Sequence, residues 1–284
     1  MKEKITIVGL QKKKEAGEAI TMLTAYDYPT GVLVDRAGID VILVGDSLAM
    51  VVLGHETTVS VTMDEMLHHC RAVARGARDP LLVGDMPFMS YQASVTEAIR
   101  NAGRFLKEGS MDVVKLEGGR PVAPTVRAIV DAGVPVMGHI GLTPQSVSKL
   151  GGYRVQGKDV AAAKALIDDA MALEQAGAFS LILEAIPSPV AEIISDRVSI
   201  PTIGIGAGPH CDGQVLVIHD LIGLFEGFLP KFVKQYANIF PTIEEALNQY
   251  RQDVIDGAFP APEHGYAMSD EALETLLTEL DREL

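Results

Sequence analysis

The stretch VILVGDS, residues 41–47, is a short apolar run that ends in a glycine, an aspartate and a serine. The run LLVGDMP, residues 81–87, also passes from apolar residues into Gly-Asp. Apolar runs without polar alternation are typical of strands buried on both faces, as in parallel sheets. An aspartate directly after such a strand needs a partner, because an unpaired ionised carboxylate is costly to remove from water. The two stretches therefore predict an α/β fold with functional carboxylates at the ends of its strands.

Similar runs recur along the whole chain, and the segments between them have helical periodicity. The predicted strands are ITMLTAYD (20–27), VILVGDS (41–47), LLVGDMP (81–87), VVKLEGG (113–119), VPVMGHIG (134–141), SLILEAI (180–186), PTIGIGAG (201–208) and VLVIHDL (215–221). Eight strands alternating with helices are typical of a single (β/α)8 TIM barrel. An open doubly wound sheet is the alternative. It would favour a glycine fingerprint after the first strand, where this chain has none.

Helix boundaries support the same alternation of strands and helices. Thr62 with Glu65, and Ser94 with Glu97, have the spacing of a capping box at a helix start. Glycines just before three of the predicted strands are expected to end helices in the left-handed conformation: Gly109, Gly133 and Gly177.

Composition restricts the class of protein. The chain has 284 residues, 48% of them hydrophobic, and a net charge of −14. Nucleic-acid binding requires a cationic surface, so we expect no such partner, and the basic cluster QKKKE (11–15) is too short to change this. No apolar run approaches the length of a membrane helix, and the two cysteines form no framework. These features predict a cytoplasmic protein without a membrane partner.

The predicted domains are a catalytic barrel with an N-terminal helix, residues 1–266, and an acidic amphipathic helix, residues 267–284. The apolar face of that helix consists of Leu273, Leu276, Leu277, Leu280 and Leu284. It is expected to pack on the barrel or on a neighbouring subunit. The long segment 141–159 after the fifth strand is either a lid or a tolerated insertion.

Polar residues fall at the carboxyl ends of consecutive strands, where barrel active sites lie. They are Asp46, Ser47, Asp85, Glu117, His139 and Glu184, with Lys115 two residues before Glu117 on the same face. Carboxylates with no cysteine and a single histidine favour a hard cation such as Mg²⁺ over zinc. Such an ion would neutralise the buried carboxylates of the opening stretches.

Two further features have competing interpretations. The glycines of GIGAG, residues 204–208, could hold a phosphate or could allow backbone to approach a substrate closely. Tyr26 and Asp27 end the first predicted strand and either line the site or, for Asp27, cap the next helix.

The motifs around these residues resemble the ketopantoate hydroxymethyltransferase family. They are TAYDY (24–28), VGDSLAMVVLGHETT (44–58), GDMPFMSY (84–91), VKLEGG (114–119), GHIGLTPQ (138–145), GGYRVQGK (151–158), LEAIP (183–187) and IGIGAGPHCDGQ (203–214). The resemblance implies a Mg²⁺-dependent TIM barrel that forms a homodecamer. It also implies transfer of a one-carbon unit from 5,10-methylenetetrahydrofolate to 3-methyl-2-oxobutanoate, on the way to pantothenate and coenzyme A.

The resemblance also implies roles for the strand-end residues. Asp46 and Asp85 match metal ligands, direct or through water, and Glu117 completes the metal's surroundings. Ser47, Lys115 and His139 match residues that hold the 2-oxo acid, with Asp46 and Asp85 beside it. Glu184 matches the catalytic base.

Two other functions are compatible with the residues. One is a Mg²⁺-dependent lyase or mutase of the phosphoenolpyruvate mutase and isocitrate lyase type. Many of those lyases use a lid-loop cysteine, which segments 118–124 and 141–159 lack. The other is a non-catalytic barrel that binds a 2-oxo acid, for which a base at Glu184 would be unnecessary.

Overall fold

The computed structural model describes residues 4–225 and 227–282 and shows a closed barrel of eight parallel strands in sequential order. The strands are Ile20–Thr24 (β1), Val41–Val44 (β2), Leu81–Asp85 (β3), Val113–Glu117 (β4), Val136–Gly141 (β5), Ser180–Glu184 (β6), Thr202–Ile205 (β7) and Gly213–Leu216 (β8). The predicted (β/α)8 barrel is confirmed, and the doubly wound alternative is excluded.

Helices lie between the strands, before the first strand and after the last, and those between the strands form the outer layer of the barrel. They are Ile7–Ala16 (α1), Tyr28–Arg36 (α2), Leu48–Val51 (α3), Met63–Gly76 (α4), Val95–Lys107 (α5), Ala123–Asp131 (α6), Val147–Leu150 (α7), Val160–Gln175 (α8), Ser188–Arg197 (α9), Ile218–Ile222 (α10), Phe240–Asp256 (α11) and Asp270–Arg282 (α12). Within the described residues, no helix is both long and apolar enough to cross a membrane.

The barrel interior is filled by apolar side chains from alternate strand positions. They include Ile20, Met22, Val41, Leu43, Leu81, Val83, Val113, Met137, Ile182, Ile203 and Val215. Toward the carboxyl ends the same inward positions become polar. Pairing places Asp85 beside Lys115 and Glu117 beside His139 on neighbouring strands. One side of the barrel mouth is therefore charged, above an apolar core.

Helix α1 closes the opposite, amino-terminal end of the barrel. Thr6 caps the helix by accepting a hydrogen bond from the Gly9 N–H. Leu10 is fully buried and packs against the apolar interior of the barrel. The helix thus acts as a hydrophobic plug.

Three lysines near this end form ion pairs with aspartates that directly precede strands. Lys4 pairs with Asp112 at 2.7 Å, Lys13 with Asp40 at 2.7 Å, and Lys14 with Asp212 at 2.9 Å. Each aspartate also accepts a backbone N–H from the preceding strand, at Leu82, Thr21 and Thr202 respectively. The cluster QKKKE therefore contributes to a specific docking surface between α1 and the barrel.

Some boundaries differ from those expected. The eighth strand ends at Leu216, and most of the rest of VLVIHDL forms α10, because apolar periodicity alone does not separate a short strand from a buried helix. The first strand ends at Thr24, and Asp27 caps α2 in a reciprocal capping box with Thr30.

The cap predictions were mostly right. Thr62 and Glu65 form the expected capping box. Ser94 caps α5 by accepting from the Glu97 N–H, but the reciprocal bond from the Ser94 N–H to Glu97 is absent among the described residues, so this box is only half formed. Gly133 and Gly177 adopt the left-handed conformation. For Gly109 the expectation was wrong, since Ser110 takes the positive φ of 58° instead.

The chain divides into two compact units, residues 1–236 and 237–284. The second contains α11, a 3₁₀ turn at Pro262–His264, and α12. Four α12 leucines are 42–53% exposed: Leu273, Leu276, Leu277 and Leu280. Leu284, the fifth of the expected face, lies outside the described residues. The assignment of 267–284 as a separate domain stays a prediction.

Candidate active site

The strand-end residues singled out from the sequence meet at the carboxyl end of the barrel. Asp46 and Ser47 follow β2, Asp85 ends β3, and Glu117 ends β4. All but Ser47 and Glu184 are buried almost completely. Such burial of charged side chains requires that they satisfy one another.

Lys115 is at the centre of the charged cluster. Its ammonium lies 2.9 Å from Asp85 Oδ1 and 3.8 Å from Glu117 Oε1. It also lies 3.2 Å from His139 Nδ1, which in turn is 3.4 Å from Glu117 Oε1. The cluster places a fixed positive charge next to the carboxylates, in a position to meet an anionic ligand.

The β2 loop joins the cluster through its backbone. The Asp46 N–H donates to Asp85 Oδ2 at 2.9 Å, so the two carboxylates lie on adjacent loops. Ser47 Oγ lies 2.8 Å from the Tyr26 hydroxyl, so this tyrosine contacts a site residue, although it is not among the residues that line the cavity at the barrel mouth. Tyr26 itself is buried.

Gln145, which the sequence reasoning did not single out, connects three of the site loops. Its backbone N–H donates to Glu117 Oε2 at 3.0 Å, and its amide nitrogen donates to Asp46 Oδ2 and the Met86 carbonyl. Its amide oxygen accepts from the Tyr91 hydroxyl at 2.7 Å. It lies in a 3₁₀ turn, Pro144–Ser146, within the segment GLTPQ. The presence of this glutamine in a family motif was the only signal in the sequence.

Glu184 lies at the edge of the cluster, at the end of β6. Its Oε2 is 3.1 Å from His139 Nε2. The next residue, Ala185, has a φ of 47°, and its N–H donates to the Ile205 carbonyl. Positive φ at a residue other than glycine is strained and frequent at functional sites. At Gly141, φ is +96° and a Cβ would overlap the Glu184 carbonyl, so only glycine fits there.

Protonation of the histidine follows from its two carboxylate neighbours. Burial and the Lys115 ammonium oppose a positive charge on His139, but contacts with Glu117 and Glu184 outweigh them and raise its pKa to about 9. Burial also opposes ionisation of Glu117, yet the His139 ring and Lys115 hold its pKa below the usual value. At neutral pH the site therefore contains an imidazolium and an ammonium.

The other carboxyls are less well compensated. Burial, with the charges of Asp85 and Glu117, raises the pKa of Asp46 well above its usual value. Burial likewise raises the pKa of Asp85, although Lys115 opposes this. Asp46, Asp85 and Glu117 therefore repel one another when all three are ionised.

These features fit a divalent cation. Glu117 Oε1 is buried without a hydrogen-bond partner among the described residues. Within those residues no three His, Cys, Asp or Glu side chains form a ready-made metal cluster. Mg²⁺ does not require one, since it is usually held by one or two carboxylates together with waters and ligand oxygens. Asp46 and Asp85 can supply these carboxylates.

The cluster opens into a cavity of about 740 Å³ at the barrel mouth. Tyr153, Arg154 and Val155 of the segment 141–159 line it. That this segment moves as a lid stays a prediction. Within the GIGAG segment, Gly206 has a positive φ, and a Cβ at this position would lie 2.6 Å from the Phe232 ring. Close packing of that ring accounts for this glycine.

The fold and the site define a (β/α)8 barrel with a buried carboxylate, lysine and histidine cluster at its mouth. The chain belongs to the ketopantoate hydroxymethyltransferase family, whose model matches residues 4–262. The chain is 58% identical to 3-methyl-2-oxobutanoate hydroxymethyltransferase of Heliobacterium modesticaldum over 95% of this chain and 98% of that protein. It is 59% identical to that of Moorella thermoacetica, over 93% and 98%.

Solved structures of other proteins share the barrel. A phosphoenolpyruvate phosphomutase from Streptomyces platensis superposes with a TM-score of 0.61 at 15% identity, covering 98% of this chain and 97% of that one. A 2,3-dimethylmalate lyase gives 0.56 at 13%, covering 98% of each chain. At such identities the similarity shows the fold alone.

Proposed function

We propose that this chain transfers a hydroxymethyl group from 5,10-methylenetetrahydrofolate to 3-methyl-2-oxobutanoate, giving 2-dehydropantoate. Family membership supports the reaction, since the curated relatives have the name of this activity. The observation that carries the proposal is the position of Glu184. It is a partly exposed carboxylate at the cavity edge, across His139 from the buried cluster that would hold a 2-oxo acid.

Lys115 and Ser47 orient the substrate in this proposal. The Lys115 ammonium attracts the carboxylate of the 2-oxo acid, and it is already held in place by Asp85. The Ser47 hydroxyl, fixed by Tyr26, donates a hydrogen bond to the substrate. Positioned charges in a site with little water stabilise developing negative charge far better than water does.

Glu184 removes the proton from the substrate carbon beside the ketone. The resulting carbon nucleophile forms a bond to the one-carbon unit, whose bonds to the folate nitrogens break. One water is consumed, its oxygen becomes the hydroxyl of the product, and tetrahydrofolate leaves with protons restored to its nitrogens. A positioned general base contributes about 10²–10⁴-fold to the rate. His139, protonated at neutral pH, lies between Glu184 and Glu117 and holds the base in position.

Mg²⁺ held by Asp46 and Asp85, with Glu117 nearby, would polarise the ketone and stabilise the charge that develops on its oxygen. The oxygen-rich donor set and the mutual repulsion of these carboxyls support this assignment. The family resemblance further supports a cytoplasmic homodecamer with small-molecule substrates only.

The test follows the proton of 3-methyl-2-oxobutanoate by NMR in D₂O with the protein, Mg²⁺ and tetrahydrofolate. We expect Mg²⁺-dependent exchange of the proton beside the ketone, slowed about 10²–10⁴-fold in Glu184→Gln. The matched control is Glu192→Gln, an exposed glutamate on α9 outside the cavity. Its side chain is half exposed and lies 3.5 Å from His210 Nδ1.

Two results would overturn the proposal. Exchange at the full rate in Glu184→Gln would remove this residue as the base. No exchange in the folded, Mg²⁺-loaded protein would leave a different oxo acid or a non-catalytic barrel as the function.

A further inference from the structure

The barrel mouth has two chemically different halves. The charged cluster occupies the loops after β2 to β5, with Glu184 after β6. The opposite half, after β7 and β8, is apolar and includes Ile205, Val215 and Val217. Three phenylalanines of the following segment also line this half: Phe225, Phe228 and Phe232. A volume of about 740 Å³ is within the ~300–1,000 Å³ range of sites that take a drug-sized ligand, so there is room beyond a small oxo acid.

Among the described residues, Asp220 is the one carboxylate of the cavity lining that lies in this apolar half. It is located on α10, directly after β8, and is half-buried. Its side chain forms neither a hydrogen bond nor an ion pair with any described residue. Burial raises the pKa of this carboxyl. A half-buried carboxylate beside apolar side chains can accept hydrogen bonds from a ligand when no described residue already bonds to it.

Asp220 is also close to the substrate side of the site. The preceding residue, His219, packs against Tyr26 with ring centroids 5.4 Å apart, and the Ile218 N–H of the same helix donates to Thr24 Oγ1 at the end of β1. The Tyr26 hydroxyl contacts Ser47, which is proposed to bind the oxo acid. A ligand bound to Asp220 would therefore lie next to the oxo acid.

Two cations lie at the outer part of the same cavity. Arg154 and Lys231 line it, and both are exposed to solvent. Neither forms an ion pair with a described residue. The cavity thus brings together a carboxylate, aromatic rings and positive charge.

We propose that Asp220 binds the pterin ring of the folate donor, accepting hydrogen bonds from its 2-amino group and its N3–H. These adjacent donors match the two oxygens of a single carboxylate. The phenylalanines pack against the flat rings, and Arg154 and Lys231 attract the terminal carboxylates of the folate. The inference rests on the proposed function, since it assigns the site of the co-substrate in that reaction.

The first test changes the ligand and leaves the protein unmodified. 6-Methyl-tetrahydropterin should displace tetrahydrofolate in equilibrium dialysis. The matching tetrahydrolumazine, with an oxo group in place of the 2-amino group, should bind about 10–100-fold more weakly, because it loses a hydrogen bond to a charged acceptor. Equal competition by the two compounds would overturn the proposal.

The second test uses Asp220→Asn. In asparagine an NH₂ group replaces one of the two acceptor oxygens and faces a pterin donor, so we expect the Kd for tetrahydrofolate to rise about 10–100-fold. Far-UV circular dichroism of the variant should match that of wild type, so that the loss of affinity does not reflect misfolding. Asp196→Asn is the matched control, since it makes the same change at an exposed position on α9 outside the cavity.

The results separate the two proposals. A wild-type protein that exchanges the substrate proton and binds tetrahydrofolate supports the proposed function. If Asp220→Asn then binds tetrahydrofolate as tightly as wild type does, the assignment of Asp220 is wrong while the activity stands. A wild-type protein that binds no tetrahydrofolate would overturn both.

Discussion

Gln145 shows how a neutral side chain can determine the geometry of a charged site. Its side-chain amide and backbone N–H hold Asp46 and Glu117 in fixed positions, and Tyr91 fixes the amide in turn. Residues that orient metal ligands typically affect metal affinity by 10–100-fold. Gln145 is therefore a positioning residue for the proposed Mg²⁺ site.

Gln145→Ala should weaken Mn²⁺ binding, measured by electron paramagnetic resonance, by about 10–100-fold. The reason is that the Asp46 carboxylate loses its orienting donor. Gln249→Ala, which removes an exposed amide on α11, is the control and should bind Mn²⁺ as wild type does. Unchanged Mn²⁺ affinity in Gln145→Ala would contradict the positioning role.

The site residues predicted from the sequence are those on strand ends, because strand period and barrel topology determine where such residues point. These two rules were sufficient to predict that Asp85, Lys115 and His139 meet at the barrel mouth. Gln145 and Asp220 were missed because their positions depend on a 3₁₀ turn and on a short helix that the apolar pattern read as a strand. Neither local conformation is encoded by hydrophobic periodicity.

Among the elements, α1 contributes most to closing the barrel floor. Leu10→Ala should lower the free energy of unfolding by about 2–5 kcal/mol, since the residue is fully buried and leaves a cavity. Chemical denaturation would measure this. Val8→Ala, at a position 59% exposed on the same helix, should change stability by less than about 0.5 kcal/mol. An equal loss in both variants would show that Leu10 is not a plug.

The ion pair between α1 and the start of β2 makes stability depend on pH. Burial opposes ionisation of Asp40, but Lys13 and the Thr21 donors outweigh it and lower its pKa. The stabilisation is therefore complete above the unfolded-state pKa, near 3.9. It is lost as the pH falls through the folded-state pKa.

Asp40→Asn should accordingly be less stable than wild type at pH 7, and the difference should shrink below about pH 4. Urea unfolding at both pH values measures it. Asp131→Asn, an exposed position on α6 without an ion pair among the described residues, should show no such trend. A difference for Asp40→Asn that stays constant with pH would show that the charge is not the cause.

Element order was the part of the fold most readily predicted, and element ends the least. Strand β4 and strand β6 end within two residues of their predicted ends. Strand β8 was extended too far because Val217 and Ile218 continue the apolar run into a helix. The ion pairs of α1 were missed, since they join residues as distant as Lys14 and Asp212.

At the scale of the whole molecule, α12 has an apolar face that the described residues of the second unit leave uncovered. Its leucines are about half exposed, although the other side of the helix is acidic. An amphipathic helix of this kind is expected to bury that face against another surface. We expect a second copy of this chain, in keeping with the proposed homo-oligomer.

Light scattering should then give a mass near ten times the 30.4 kDa of the chain. Leu273→Asp combined with Leu277→Asp should lower that mass, because charge would enter the apolar contact. Glu274→Gln, between them in the sequence, should leave it unchanged. A wild-type mass of 30.4 kDa would contradict the expectation of an oligomer.

The three lysine–aspartate pairs have a consequence for the order of folding. Helix α1 precedes all eight strands in the chain, yet Lys14 meets Asp212 only after nearly all of the barrel has been synthesised. Contacts so distant in sequence form late, because a long loop must close before they bring any gain. Helix α1, which closes the amino-terminal end of the barrel, is thus synthesised before the strands and docks on them last. Until then, the apolar lower interior of the nascent barrel stays open to water and to chaperones.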